Sequence, residues 1–342
     1  MKLYAITIKP RTAFGTPLKG DTIFGHFCWQ AANQPATLNG GLDRWIELYP
    51  TKPFAVFSTA WPRLVENDQT VYAVKRPDLS MAIMFPAKDK DDGLARLIER
   101  KANKKKKWLL IEETLALHLK EDHLIDDTAL FERYRKLVSP TTARQLGQVR
   151  NFMALDRRIH NTINRLTQTT GECFAPFVHE NQCYLPETEL TIFCLLDPAA
   201  TDIDRVLQAF KNIGAFGFGR DASSGLGRFM VGEWQELPLP SLPNANACYT
   251  LGPAVPEQGA YRQSFFSPFT RFGKHGDRLV LTDKPFKAPI VMADEGAVFL
   301  PQSADAFNNP YLGRAVTGIS LADPRTVGQG YSMYLPCRLE VH

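Results

Sequence analysis

Apolar and polar positions along the first two thirds of the chain predict alternating strands and helices. Residues 3–9 (LYAITIK) predict a short strand. The apolar residues that follow lie on one side of a helical wheel and predict an amphipathic helix: Ile23, Phe24, Phe27, Cys28 and Ala31. Residues 201–214 predict a second such helix, with Thr201 as its cap candidate and Gly214 at its end.

Three further stretches predict strands. Residues 173–187 and 190–196 form a hairpin-like pair, and residues 228–234 (RFMVGEW) follow the second helix. The resulting order is strand, helix, insertion, strand, strand, helix, glycine-rich loop and strand. This is the β-α-β-β-α-β order of a ferredoxin-like domain, whose sheet is the architecture that RNA-recognition domains use.

We therefore predict an α+β fold with two ferredoxin-like, RRM-like domains. The first spans residues 1–235 and carries a long insertion, about residues 50–170, directly after its first helix. Residues 236–247 (ELPLPSLPNANA) predict a proline-rich linker. Residues 248–342 predict a second, mostly β domain with degenerate ferredoxin-like topology.

Composition narrows the functional classes. The chain has 342 residues, 44% of them hydrophobic, which is enough for a packed core. No apolar run approaches the ~20 residues that span a membrane, and the N-terminus resembles a strand rather than a signal peptide, so we expect a cytoplasmic protein. The six cysteines show no CxxC pair and no zinc spacing, which predicts reduced core cysteines and neither metal nor other cofactor. Because the net charge is only +4, nucleic-acid binding depends on where the basic groups lie.

The stretch GFGRDASSGLGRF (residues 217–229) is the strongest candidate site. It follows a helix and precedes a strand, the reverse of the dinucleotide fingerprint, and it lacks the lysine of a Walker loop. Glycines allow a ligand close to the main chain, and the forked guanidinium donors of Arg220 and Arg228 suit phosphate. A plain glycine connection is the alternative. The candidate RNA contacts here are Gly217, Phe218, Gly219, Arg220, Ser223, Ser224, Gly225, Leu226, Gly227 and Arg228.

Two other basic stretches are candidates. Lys19 and Gly20 begin the first helix, whose free N–H groups favour anions, although Asp21 is also a plausible helix cap. Residues 149–171 contain side chains that bind phosphate, sugar and splayed bases, or else form a polar helix; they include Arg150, Arg158, His160, Asn161, Asn164 and Arg165. The lysine run 104–107 predicts either a solvated surface or a phosphate contact.

Three motifs, together with a C-terminal strand after a proline-broken loop, resemble the RAMP superfamily of CRISPR-associated proteins. The motifs are GTPLKGDTIFGHFCW, HNTINRLTQTTG and GFGRDASSGLGRF. More narrowly, they resemble the fourth subunits of the Csm series in type III-A effector complexes. The resemblance implies a non-catalytic subunit that holds the 5′ repeat-derived tag of the CRISPR RNA. It also implies docking to the large polymerase-type subunit and to the first backbone RAMP subunit, with target RNA contacted only indirectly.

The resemblance implies roles for particular residues. Backbone N–H groups from Gly217 to Arg228 would line the RNA, with Lys19 and Gly20 beside them. Arg158, His160, Asn161, Asn164 and Arg165 would match the basic segment of the family. Three phenylalanines are available as stacking platforms, although Phe216 is also a core candidate: Phe14, Phe216 and Phe218.

Two other functions remain open. Some RAMP relatives are metal-independent ribonucleases in which a histidine acts as general base, and His26 and His160 are the candidates for that role. A purely architectural subunit that contacts only protein is the third hypothesis.

Overall fold

The structure is a computed structural model that describes residues 1–85, 93–119, 121–147, 149–171 and 174–340. It mixes helices with antiparallel sheets, so the predicted α+β class is confirmed.

The first part of the chain forms nine strands and seven helices in the described residues. The strands are β1 (Lys2–Pro10), β2 (Ala55–Glu66), β3 (Gln69–Lys75), β4 (Trp108–Glu112), β5 (Leu124–Ile125), β6 (Met153–His160), β7 (Phe177–Tyr184), β8 (Glu189–Leu196) and β9 (Phe229–Leu237). The helices are α1 (Gly20–Asn33), α2 (Leu42–Leu48), α3 (Met81–Met84), α4 (Gly93–Lys105), α5 (Asp127–Leu137), α6 (Pro140–Leu146) and α7 (Ile203–Phe216).

Seven of these strands form one antiparallel sheet in the order β5-β4-β3-β2-β8-β1-β9. The elements β1, α1, β2, β8, α7 and β9 give the β-α-β-β-α-β order of a ferredoxin-like unit. Apolar residues of α1 pack towards β2, and those of α7 towards β9.

The position of the insertion was predicted wrongly. Strand β2 lies within the predicted insertion, which therefore interrupts the unit between β2 and β8 rather than directly after α1. β2 was not predicted because Pro53 and Pro62 make its stretch resemble a loop, although residues 55–62 are buried.

The predicted hairpin between residues 173–187 and 190–196 is also wrong. β7 pairs with β6, from Met153 opposite Tyr184 to His160 opposite Phe177. β8 pairs instead with β1 and β2. The β6–β7 pair forms a separate two-stranded arm.

Two predicted helix caps take other roles. Asp202 caps α7 by accepting a hydrogen bond from the Arg205 amide, whereas the hydroxyl of Thr201 donates to the Thr37 carbonyl. Lys19 precedes α1 without any side-chain cap, and the Asp21 carboxylate accepts two hydrogen bonds from Arg271 instead.

The described residues after β9 contain strands and short 3₁₀ turns but no α-helix, which agrees with the predicted mostly β half. The strands are β10 (Ala247–Thr250), β11 (Tyr261–Phe265), β12 (Pro268–Arg271), β13 (Ile290–Ala293), β14 (Val298–Pro301), β15 (Tyr311–Gly313) and β16 (Tyr331–Cys337). Five form a sheet in the order β11-β14-β10-β16-β15, and β12 pairs with β13. A second ferredoxin-like domain in this half stays a prediction. The predicted linker also stays a prediction, and its first two residues lie in β9.

An irregularity in β2 joins the two halves. The register of β2 against β8 shifts between Phe57 and Ala60, which releases backbone groups from the ladder. The Thr59 amide donates to the Leu251 carbonyl, and the buried amide of Gln329 bonds both the N–H and the C=O of Phe57. The main hydrophobic core contains residues of both halves, and a smaller cluster lies within the C-terminal half.

The described cysteines are free thiols. Cys194, Cys248 and Cys337 are buried, as expected for core cysteines, while Cys28 and Cys183 are half-buried. Cys173 lies outside the described residues. Among the helices that the structure describes, none has the length and apolar character needed to cross a bilayer.

Candidate nucleic-acid interface

The glycine-rich loop (residues 217–228) connects α7 to β9 and packs on the segment 11–16 and on α1. Its glycines are needed because the two limbs of the loop touch. Gly217 has φ +111°, and a Cβ there would lie 2.4 Å from the Leu226 carbonyl oxygen. Gly227 has φ +72°, and its Cβ would lie 2.1 Å from the Phe218 carbonyl oxygen. Both side-chain clash and backbone angle therefore select glycine.

Most amides of the loop are bonded within the protein. The Gly219 amide donates to His26 Nε2 (3.0 Å) and the Arg220 amide to Thr16 Oγ1 (2.9 Å). The Gly227 and Arg228 amides donate to the Ala13 carbonyl and to Thr12 Oγ1. The expectation that the whole loop presents its amides to a ligand is wrong, because tertiary contacts use them.

Three consecutive amides remain available. Those of Asp221, Ala222 and Ser223 have no acceptor among the described residues. Ser223 and Ser224 are exposed, and the Ser224 hydroxyl donates to the Asp221 carbonyl. The part of the loop that can contact a ligand is thus its outer turn.

The two arginines of the loop differ. Arg220 Nη2 donates to the Glu180 carbonyl (3.0 Å) and to Asn181 Oδ1 (3.1 Å), so this guanidinium ties the loop to β7. Arg228 is exposed and has no acidic partner in the part of the chain that the structure describes. Arg228 is therefore the arginine that is free to bind phosphate.

The start of α1 is a structural junction. Lys19 Nζ bonds the carboxylates of Asp294 and Glu295 and lies 4.6 Å from the centre of the Phe269 ring. A Cβ at Gly20 would lie 2.1 Å from the Phe57 carbonyl oxygen, so Gly20 allows α1 to approach β2. The geometry contradicts the predicted anion site at Lys19 and Gly20, since the ammonium is neutralised and the glycine is buried.

The basic segment 149–171 is not a helix. It forms β6 and the turn that follows, and most of its side chains are exposed. Arg158 pairs with Asp156 at 2.7 Å, while Arg150 and Arg165 have no acidic partner among the described residues. Asn161 and Arg165 line an open cavity of 620 Å³ at the end of the arm. Asn164 is used by the turn, since its Oδ1 accepts from the Leu166 amide.

The arm brings His160 towards the glycine-rich loop. His160 stacks on Phe177 with ring centres 5.4 Å apart, and lies 4.6 Å from the ring of His179. His179 Nδ1 is in turn 3.5 Å from Asp221 Oδ2. Sequence reasoning missed Phe177, His179 and Asn181 because β7 was assigned to the main sheet. The polar character of FVHENQCY was the signal that could have separated it.

His26, the other histidine candidate, has a structural role. Its Nε2 accepts a hydrogen bond from the Gly219 amide, and its ring centre lies 4.5 Å from that of Phe218. Burial lowers the pKa of His26 to about 4, so the ring is neutral at pH 7. The nitrogen that a general base would use is thus already occupied.

The burial of the three candidate stacking rings differs from the prediction. Phe14 and Phe218 are each 1% exposed and pack together in the core, so neither can stack on a base. Phe216, the core candidate, is 65% exposed because α7 ends there.

Half of the lysine run is used in ion pairs. Lys106 pairs with Glu121 and Lys107 with Asp127, at 3.5 and 2.8 Å. These pairs favour the solvated-surface interpretation for that half.

A scan against protein-family models finds no match, and a search of curated proteins finds no relative. Solved structures do match over the full chain. A chain of a "Csm1-Csm4 cassette in complex with pppApA" matches with a TM-score of 0.54 at 15% identity, and the match covers 99% of each of the two chains. A chain of a "Csm3-Csm4 subcomplex in the type III-A CRISPR-Cas interference complex" has a TM-score of 0.53 at 13% identity, with 99% of this chain and 100% of that one covered.

This protein has the fold of a chain in these Csm assemblies. Csm4 is the component that both assemblies have in common. The likeness extends from β1 to β16, so it includes the C-terminal half as well as the ferredoxin-like unit.

Proposed function

We propose that this chain is a Csm4-like RAMP subunit of a type III-A CRISPR ribonucleoprotein, without catalytic activity of its own, that holds the 5′ tag of the CRISPR RNA. The observation that carries the proposal is the full-length likeness to chains of two assemblies that share Csm4. Because one assembly contains Csm1 and the other Csm3, we also propose docking to a large polymerase-type subunit and to a backbone subunit.

The unpaired donors of the site suit a sugar-phosphate strand. The amides of residues 221–223 and the guanidinium of Arg228 belong to the loop, Arg150 precedes the arm, and Arg165 lies in the turn of the arm. Contacts between His179 and Asp221 and between Arg220 and β7 hold the arm against the loop. Backbone amides and arginines position nucleic acid, and stacking on exposed rings is tolerant of base identity. A single strand that crosses from the loop to the arm would meet both.

Arg228→Ala tests the RNA-binding role. Affinity for an RNA that carries the repeat-derived tag is measured by fluorescence anisotropy over a series of salt concentrations. Loss of one phosphate contact should make the negative slope of log K against log salt shallower by ~0.7. Arg262→Ala, which removes another exposed arginine, from β11, is the matched control and should leave the slope unchanged. An unaltered slope for Arg228→Ala would favour the purely architectural subunit.

The pair of imidazoles on the arm supports a second candidate, a metal-independent RNA-processing activity. His160 and His179 lie with ring centres 4.6 Å apart, close enough to act on one phosphodiester as base and acid. Incubation of the protein with repeat RNA, followed by gel analysis, tests it. Cleavage that persists in His26→Leu but is abolished in His160→Ala would establish this candidate in place of a non-catalytic subunit.

A further inference from the structure

Two aromatic side chains lie together on the outer surface of α1 and α7. The rings of Trp29 and Phe216 meet edge to face, with centres 6.2 Å apart and planes at 90°. Trp29 is 37% and Phe216 is 65% exposed. We refer to this pair as the aromatic shelf.

The surroundings of the aromatic shelf are small or open. Gly25 precedes Trp29 by one helical turn, and a Cβ at Gly25 would have nothing within 4 Å. Ala215 is exposed beside Phe216. A flat ligand can therefore approach without displacing a side chain.

Side-chain amides link α7 to α1 next to the aromatic shelf. Asn212, four residues before Phe216, donates to Gln34 Oε1 (3.2 Å) and to Gln30 Oε1 (3.4 Å), and accepts from Gln208 Nε2 (3.1 Å). Gln30 is 2% exposed, yet its Nε2 has no acceptor among the described residues. The bonds of Asn212 tie α7 to α1 and so fix the two rings relative to each other.

The aromatic shelf is continuous with the glycine-rich loop. Phe216 is followed directly by Gly217, where an added Cβ would lie 3.0 Å from that of Ala222, one of the three residues with a free amide. On α1, His26 lies one turn before Trp29 and accepts the Gly219 amide. A strand bound at the outer turn of the loop would thus have the aromatic shelf within the reach of one nucleotide.

We propose that the aromatic shelf of Trp29 and Phe216 binds an unstacked nucleobase of the single-stranded RNA held at the glycine-rich loop. This inference rests on the proposed RNA-binding function. Rings that stand edge to face leave an open face for stacking, and the free amides and Arg228 of the adjoining loop favour a nucleotide over an apolar protein side chain.

Phe216→Leu and Phe216→Tyr test the stacking. Leucine keeps apolar contact but removes the ring, and should weaken binding of a tag-bearing RNA about 5- to 150-fold, the range for one stacked base. Tyrosine keeps the ring and should retain affinity. Phe272→Leu, at a ring 76% exposed in the C-terminal half, is the control and should bind as wild type. Thermal unfolding of each variant verifies that the fold persists.

Tryptophan fluorescence reports on the same site directly. The same RNA should quench the wild-type emission, and Trp29→Phe, which retains a ring, should lose that part of the quenching while keeping most of the affinity. Quenching that is equal in wild type and Trp29→Phe would contradict the proposal.

Two outcomes separate this inference from the proposed function. If Arg228→Ala weakens RNA binding and Phe216→Leu does not, the RNA site stands and the aromatic shelf is not part of it. If Phe216→Leu instead impairs only assembly with the other subunits, the aromatic shelf is a protein-docking surface and the inference is overturned.

Discussion

A buried carboxyl group at the junction of the two halves should make stability depend on pH in an unusual direction. The Glu295 side chain is 12% exposed, and its Oε2 lies 2.9 Å from Lys19 Nζ and 3.2 Å from Thr59 Oγ1. Burial is the main cause that raises the pKa of Glu295 from 4.5 to about 7; the Lys19 charge opposes it and Asp294 adds to it. For Asp294, burial opposes ionisation, but the hydrogen bond from Glu295 and the charge of Lys19 hold its pKa below 3.8.

The sign follows from proton binding. Between pH 4.5 and about 7 the folded protein retains the Glu295 proton that the unfolded chain has released, so stability from this group falls as pH rises. That interval corresponds to about 3 kcal/mol at ~1.4 kcal/mol per pH unit. His26 acts oppositely, because burial lowers its pKa from 6.5 to about 4 and its contribution to stability rises with pH over that range. The wild-type profile alone therefore hides both effects.

Glu295→Gln, which mimics the protonated side chain, reveals the effect of Glu295. Free energies of unfolding in urea are measured for wild type and variant from pH 4.5 to 8.5. We expect the two to agree at the acidic end and the variant to be more stable by about 3 kcal/mol above pH 8. Glu257→Gln, at an exposed carboxylate, should show no such divergence. If the wild type instead becomes more stable than Glu295→Gln as pH rises, the reasoning is refuted, because the attraction of the Glu295 carboxylate to Lys19 would then outweigh the cost of its burial.

Two further predictions concern the packing around α1. Gly20→Ala should destabilise the protein by about 3 kcal/mol, because the added Cβ would lie 2.1 Å from the Phe57 carbonyl oxygen. Gly25→Ala on the same helix should be neutral or stabilising by up to ~1 kcal/mol, because a Cβ there meets no atom within 4 Å. Urea unfolding of the two variants measures the difference. His26→Leu should cost about 1–3 kcal/mol by leaving the Gly219 amide without its acceptor. Hydrogen exchange at that amide should accelerate more than exchange in β1, which should change only by the loss of global stability.

Local sequence pattern predicted four elements of the ferredoxin-like unit. The first strand, α1, α7 and the strand after the glycine-rich loop were all expected close to where they occur. The two helices have apolar residues at helical spacing, and the two strands are short runs rich in β-branched and aromatic residues. The same reasoning failed for β2, because Pro53 and Pro62 make its stretch resemble a loop. It also failed for β7, whose partner β6 cannot be identified from either strand alone.

The sequence by itself determined the α+β class, the place of the glycine-rich loop between a helix and a strand, and the basic character of the arm. Only the tertiary structure decided which groups at these places remain unbonded. Lys19 is neutralised by carboxylates about 275 residues away, the amide of Gly219 is taken by His26, and Arg220 is held by β7 while Arg228 is free. The physical reason is that spacing along a chain reports which side of an element is buried. The partner of an individual charge or amide is set by segments far apart in sequence that meet only in the folded protein.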